Sequence, residues 1–94
     1  MILTPEDYTH LTAIVSVLAL GQLRPEDALL ERLKGGCLEQ ADLEALADSL
    51  GSMRANIERT VFGLADNSER HAAVDTIHWC SNAIHELESL LQLA

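Results

Sequence analysis

Residues 43–64, LEALADSLGSMRANIERTVFGL, and residues 73–91, AVDTIHWCSNAIHELESLL, carry the two apolar stripes that decide the fold. In the first, Leu43, Leu46, Leu50, Met53, Ile57, Thr60 and Leu64 recur at steps of three and four. Ala73, Ile77, Cys80, Ile84, Leu87 and Leu91 keep the same rhythm in the second. That spacing holds one helix face apolar over about six turns, and each face needs a partner. The break at Gly63–Ser68 is short, which favours antiparallel neighbours. The C-terminal two-thirds therefore reads as a helical hairpin.

Working outward, Thr4-Pro5-Glu6-Asp7 has the grammar of a helix start: an N-cap, a proline at the first helical position, and a carboxylate where a capping box places one. This first helix is expected from about Pro5 to Leu20, with Gly21 as its C′ residue. Tyr8, Leu11, Ile14, Val15, Val17, Leu18 and Leu20 nearly encircle its second half. A helix apolar all round is central in a fold or covered by another copy. A short second helix follows from about Pro25 to Lys34, stopped by Gly35-Gly36. The third is expected to begin near Leu38–Ala41 and reach Phe62, with Gly63 and Leu64 as a Schellman ending. Asp66, Asn67 or Ser68 caps the fourth, with Glu69 placed for a capping box, and that helix runs almost to the C-terminus. The fold class is all-α, a compact bundle of four helices in one domain over residues 1–94. Its long C-terminal hairpin packs on a broken N-terminal helix pair, laid along it as a third rod.

Composition narrows the function classes. The chain has 94 residues, a net charge of −9, and only Tyr8, Phe62 and Trp79 as aromatics. An aliphatic core suits helix-on-helix packing. The charge disfavours direct binding of nucleic acid or an anionic membrane, because phosphates reward Lys and Arg. The start lacks the basic region of a secretory signal, and the apolar run Ala13–Leu20 is too short to cross a bilayer. Cys37 and Cys80 form no close-spaced metal pair, so free thiols in a cytoplasmic protein are expected. Phosphate-cradling glycine loops, a nucleophile elbow and paired active-site carboxylates are all missing, so no enzyme and no cofactor are predicted.

The fourth helix has more apolar surface than one seam requires. Trp79 falls about 130° from the centre of its stripe, at about 100° per residue. It packs on the first helix, anchors a partner as Trp does at interface hot spots, or stands as a solvent-exposed ring. The expected function is a protein–protein interaction module, self-associating as a homodimer, that buries Trp79, Ala83, Leu90 and Leu93. Glu39, Asp42, Glu44 and Asp48, in a stretch from Gly36 to Met53 without Lys or Arg, are the expected acidic rim steering a basic partner. Two alternatives stand beside it. In size and charge the chain resembles small acidic phage-encoded inhibitors, a likeness of composition alone that implies an acidic surface occupying a nucleic-acid-binding protein. His71, Asp75 and His78, at neighbouring helical positions, are the third candidate, as ligands of a divalent metal.

Overall fold

A computed structural model describes residues 3–64 and 66–92. Four helices follow one another: α1 (Pro5–Leu20), α2 (Asp27–Gly35), α3 (Gln40–Val61) and α4 (Asn67–Gln92). The bundle measures 44 × 25 × 19 Å. Among the described residues, no helix is long and apolar enough to cross a membrane.

Local chemistry sets most helix ends. Thr4 and Asp7 form the expected reciprocal capping box: Asp7 N donates to Thr4 Oγ1 at 3.1 Å, and Thr4 N donates to Asp7 Oδ2 at 2.8 Å. Gly36 ends α2 in the left-handed region at φ 68°, where a glycine avoids the steric penalty of a Cβ. The other two endings differ from expectation. After α1 the left-handed residue is Gln22, at φ 63°, and Gly21 stays at φ −85°. Gly21 lies instead against the tip of Met53, whose Cε a Cβ at this position would push aside. At the end of α3, Gly63 has no positive φ, so no Schellman turn forms. Gly63 N reaches only back to the Thr60 carbonyl, and Leu64 N to that of Val61. At the next start, Asp66 Oδ1 accepts from Ser68 N at 2.7 Å.

The two stripes meet as the hairpin requires. Leu43, Leu46, Leu50 and Met53 of α3 are buried, as are Cys80 and Leu87 of α4. Ile57 and Ile84 lie half-buried at the margins of this seam. The N-terminal pair packs on the hairpin through Leu11, Ile14, Val15 and Leu18 of α1 and Leu29 of α2. It does so folded back on itself, so α2 lies beside α3 rather than extending the line of α1. Arg32, near the end of α2, pairs with Asp42 at the start of α3. Tyr8 Oη accepts from Leu38 N at 3.3 Å, while at the other end Gly21 abuts Met53. Hence α1 runs parallel to α3 and antiparallel to α2 and α4. The chain goes up, down, up and down, as short connections favour.

One consequence concerns α1. Its apolar circumference suggests a central helix, yet it stands on the outside of the bundle. Only the face of Leu11, Ile14, Val15 and Leu18 is buried; Thr9, Thr12, Ala13, Ser16, Ala19 and Leu20 face solvent. Leu20 is 86% exposed. From Thr9 to Leu20 this surface carries no Asp, Glu, Lys or Arg.

Candidate functional site: the seam between α1 and α4

Both helices bring one face to a shared groove. At one end Glu6, Asp7, His10, Leu11 and Ile14 of α1 oppose Glu86, Leu87, Ser89 and Leu90 of α4 around a concavity of about 280 Å³. The next, of about 450 Å³, lies between Thr9, His10, Ala13, Ile14 and Trp79, Asn82, Ala83, Glu86. Val17, Asp75, Thr76 and Trp79 line a third of about 370 Å³. Shared residues make these steps of one groove: His10, Ile14 and Glu86 join the first two, and Trp79 joins the second to the third. The floor is apolar and the ends are acidic, with Glu6, Asp7 and Glu86 at one and Asp75 at the other. No Lys or Arg lines any of the three. One polar bridge crosses the seam, His10 Nδ1 to Glu86 Oε2 at 3.2 Å. Both side chains are more than half exposed, so this pair contributes little to stability.

Comparison with protein-family models gave no match, and comparisons with curated proteins and with solved structures gave none either. The residues themselves therefore carry any reading of the groove.

Trp79 is half-buried and packs against the hydrophobic core, with α1 residues Ala13, Ile14 and Val17 beside it in the groove. It lies outside the α3–α4 seam, as its helical angle requires, and α1 covers part of it. Leu90 is half-buried at the first concavity. Ala83 lines the second concavity but is only 6% exposed, packed into the core beneath α1. Leu93 lies outside the described residues. Leu20, also apolar and exposed, follows Val17 on α1 by one turn and extends the apolar surface beyond the groove. The uncharged run from Thr9 to Leu20 was the sequence signal for it. Phe62, 89% exposed at the end of α3, adds a second apolar spot, on the outer side of that helix with Ala55 and Arg59.

The acidic row on α3 is broken. Glu44 and Asp48 are exposed one turn apart, and Glu39 is the exposed N-cap of α3. Asp42 is 4% exposed and neutralised. Arg32 Nε donates to Asp42 Oδ2 at 2.7 Å, Arg32 Nη2 donates to Oδ1, and Glu39 N donates to Oδ2 at 2.9 Å. This carboxylate thus ties α2 to the start of α3 and is not part of an outward rim. The cation comes from across the α2–α3 turn, outside the stretch that looks uniformly acidic.

Bidentate pairing with Arg32 holds the Asp42 carboxyl below its ordinary value; burial pushes the other way, and the Glu39 amide assists the lowering. A depressed folded-state value contributes stability that is complete above the unfolded value, about pH 4, and lost as pH falls through the folded one. Asp42→Asn is expected to cost about 2 kcal/mol at neutral pH, since hydrogen bonds to charged groups contribute about 1.5–3 kcal/mol. The same variant should flatten the acid limb of stability below pH 4. Urea midpoints at pH 7 and pH 3 check this; parallel acid losses in both proteins would remove Asp42 from the account.

No metal arrangement emerges among the described residues. No three His, Cys, Asp or Glu side chains come together as a metal site. His71, Asp75 and His78 are all exposed, and sequence proximity does not assemble them. Cys80 is fully buried, and burial pushes its thiol up, away from thiolate chemistry. Cys37 is exposed, with its Sγ donating to the Arg32 carbonyl at 3.6 Å.

Proposed function

We propose that this chain is a non-catalytic protein–protein interaction module whose contact surface is the α1–α4 seam. The observation that carries the reading is a groove with Trp79 between two of its concavities, an apolar floor and acidic ends. Concave apolar surface around a partly exposed Trp is the anatomy of an interface hot spot. The neighbouring uncharged face of α1, ending in Leu20, extends the surface on which a partner could rest. Self-association through this seam would set one acidic groove end against another in either direction, because both ends carry carboxylates and no Lys or Arg lines the groove. A partner of opposite charge fits better than a second copy.

The alternative of an acidic inhibitor depends on the exposed carboxylates of α3 instead. Capture of partners from the native host by wild type, Trp79→Ala and Glu44→Lys/Asp48→Lys separates the two. Loss of at least tenfold of the bound partner on Trp79→Ala alone, with helical content retained, is the expected result. Undiminished capture by Trp79→Ala overturns the seam, and loss only on charge reversal of Glu44 and Asp48 favours the inhibitor. Light scattering on the same proteins checks self-association: a wild-type dimer that Trp79→Ala leaves intact is joined elsewhere.

A further inference from the structure

We infer that the α1–α4 groove is shaped for an amphipathic helix of about three turns, carrying Lys or Arg beside its apolar face and supplied by a different protein. This rests on the reading of the seam as the contact surface and names what fills it. From Glu6 to Val17 the α1 side of the groove spans about 17 Å at 1.5 Å per residue, the length of three helical turns. A helix laid along that span could set one apolar face on the groove, with anchors at spacings such as i, i+4 and i+7. An extended strand of this length would point alternate side chains away from the floor and fill it less regularly.

Charge selects the kind of helix. Every formally charged residue lining the groove is acidic: Glu6, Asp7, Asp75 and Glu86. Asp7 commits Oδ2 to the Thr4 amide, and Glu86 turns Oε2 to His10. Cationic side chains at the edge of a docked helix would complement these carboxylates while their aliphatic stems lie over the groove wall. Beside the groove, the exposed Thr9–Leu20 face of α1 carries no Asp, Glu, Lys or Arg, so it would tolerate the apolar edge of the same helix. A second copy that docked through the same seam would bring α1 with Glu6 and Asp7 at its head and no basic residue in its last turn, on a chain of net charge −9, which is the wrong charge.

Trp79 is the only tryptophan, so its emission reports occupancy of the groove. The probes are a Leu/Lys peptide of about 14 residues with helical periodicity, roughly 21 Å long, a scrambled peptide of the same composition, and a Leu/Glu counterpart. The periodic Leu/Lys peptide is expected to shift Trp79 emission saturably. Glu6→Lys/Glu86→Lys should weaken it at least tenfold, whereas Glu44→Lys/Asp48→Lys, with the same change in net charge, should alter it less than twofold. Circular dichroism on each variant confirms that the bundle is intact. Equal weakening by both pairs, or equal binding of the scrambled peptide, overturns the inference by reducing it to bulk attraction. Equal binding of the Leu/Glu helix with the same emission change overturns the choice of a basic occupant but leaves the seam as a contact surface. Silence of Trp79 to every peptide, together with undiminished partner capture by Trp79→Ala, removes both.

Discussion

Leu50→Ala is expected to destabilise the bundle by about 3–4 kcal/mol, within the range measured when a buried Leu is truncated and its cavity only partly closes. Leu50 has no solvent exposure and sits at the middle of the α3 stripe, between Leu46 and Met53 in the seam with α4. A domain of this size has roughly 5–14 kcal/mol of stability in total. The loss is therefore a large share of it, and the thermal midpoint should fall by about 12–32 °C, at roughly 4–8 °C per kcal/mol. Ile57 provides the internal comparison. It belongs to the same stripe one turn beyond Met53, but it is only half-buried near the hairpin apex, past the point where Gly21 brings α1 to its end. Ile57→Ala is expected to cost clearly less than Leu50→Ala. Calorimetry on the two variants checks the gradient. Equal losses would mean that burial along the stripe is uniform and that the apex is covered as well as the centre.

The fold was legible because its strongest signals are local and periodic. The 3-4 spacing from Leu43 to Leu64 and from Ala73 to Leu91 specifies two long helices whatever lies around them, and the short break makes them antiparallel. Thr4-Pro5-Glu6-Asp7 likewise names its own helix start, because cap chemistry involves only neighbours. What failed depends on distant atoms. Gly21 looked like a left-handed ending, yet it keeps a negative φ against the tip of Met53 from α3, and Gln22 takes the positive φ. The break at residues 21–26 announced an interruption without its angle. Whether α2 continues the line of α1 or folds back is decided by Arg32 reaching Asp42 and by Leu29 joining the core.

The candidate site was less legible, for the same reason. Helical angle placed Trp79 outside the hairpin seam, but only the position of α1 decides how much of it remains exposed. Ala83, one turn along α4, lines the same groove as Trp79, but the cover that α1 gives it leaves it almost no exposed surface. Asp42 was misread because charge counted along the chain ignores charge across the turn. Glu6, Asp7 and Glu86 were never grouped, since they stand about eighty residues apart and meet only because α1 runs antiparallel to α4. The uncharged outer face of α1 was visible as a helix apolar all round. Its placement on the surface was not, because periodicity says which face is apolar and not how many neighbours will cover it.

Leu18→Asp is expected to have the other large effect, about 4 kcal/mol, and to remove the groove along with the stability. Leu18 is completely buried on the α1 face that meets the hairpin. An unpaired carboxylate there either stays charged in an apolar site or takes up a proton, and both cost several kcal/mol. The cheaper response is for α1 to leave the hairpin. Because α3 and α4 also pack directly on each other, with Leu43, Leu46, Leu50 and Leu87 in the shared core, part of the helical signal is expected to persist near the transition. The groove cannot persist, because one wall is α1 itself. Trp79 emission should shift to the red as Ala13, Ile14 and Val17 withdraw, and any response to a docked helix should vanish with it. Thr12→Asp, on the exposed side of the same helix, adds the same charge without burying it and should change stability by no more than about 0.5 kcal/mol. Urea unfolding followed at once by circular dichroism and by Trp79 emission checks both variants. A wild-type midpoint for Leu18→Asp would mean that α1 is not held by this face, and the seam would lose its foundation.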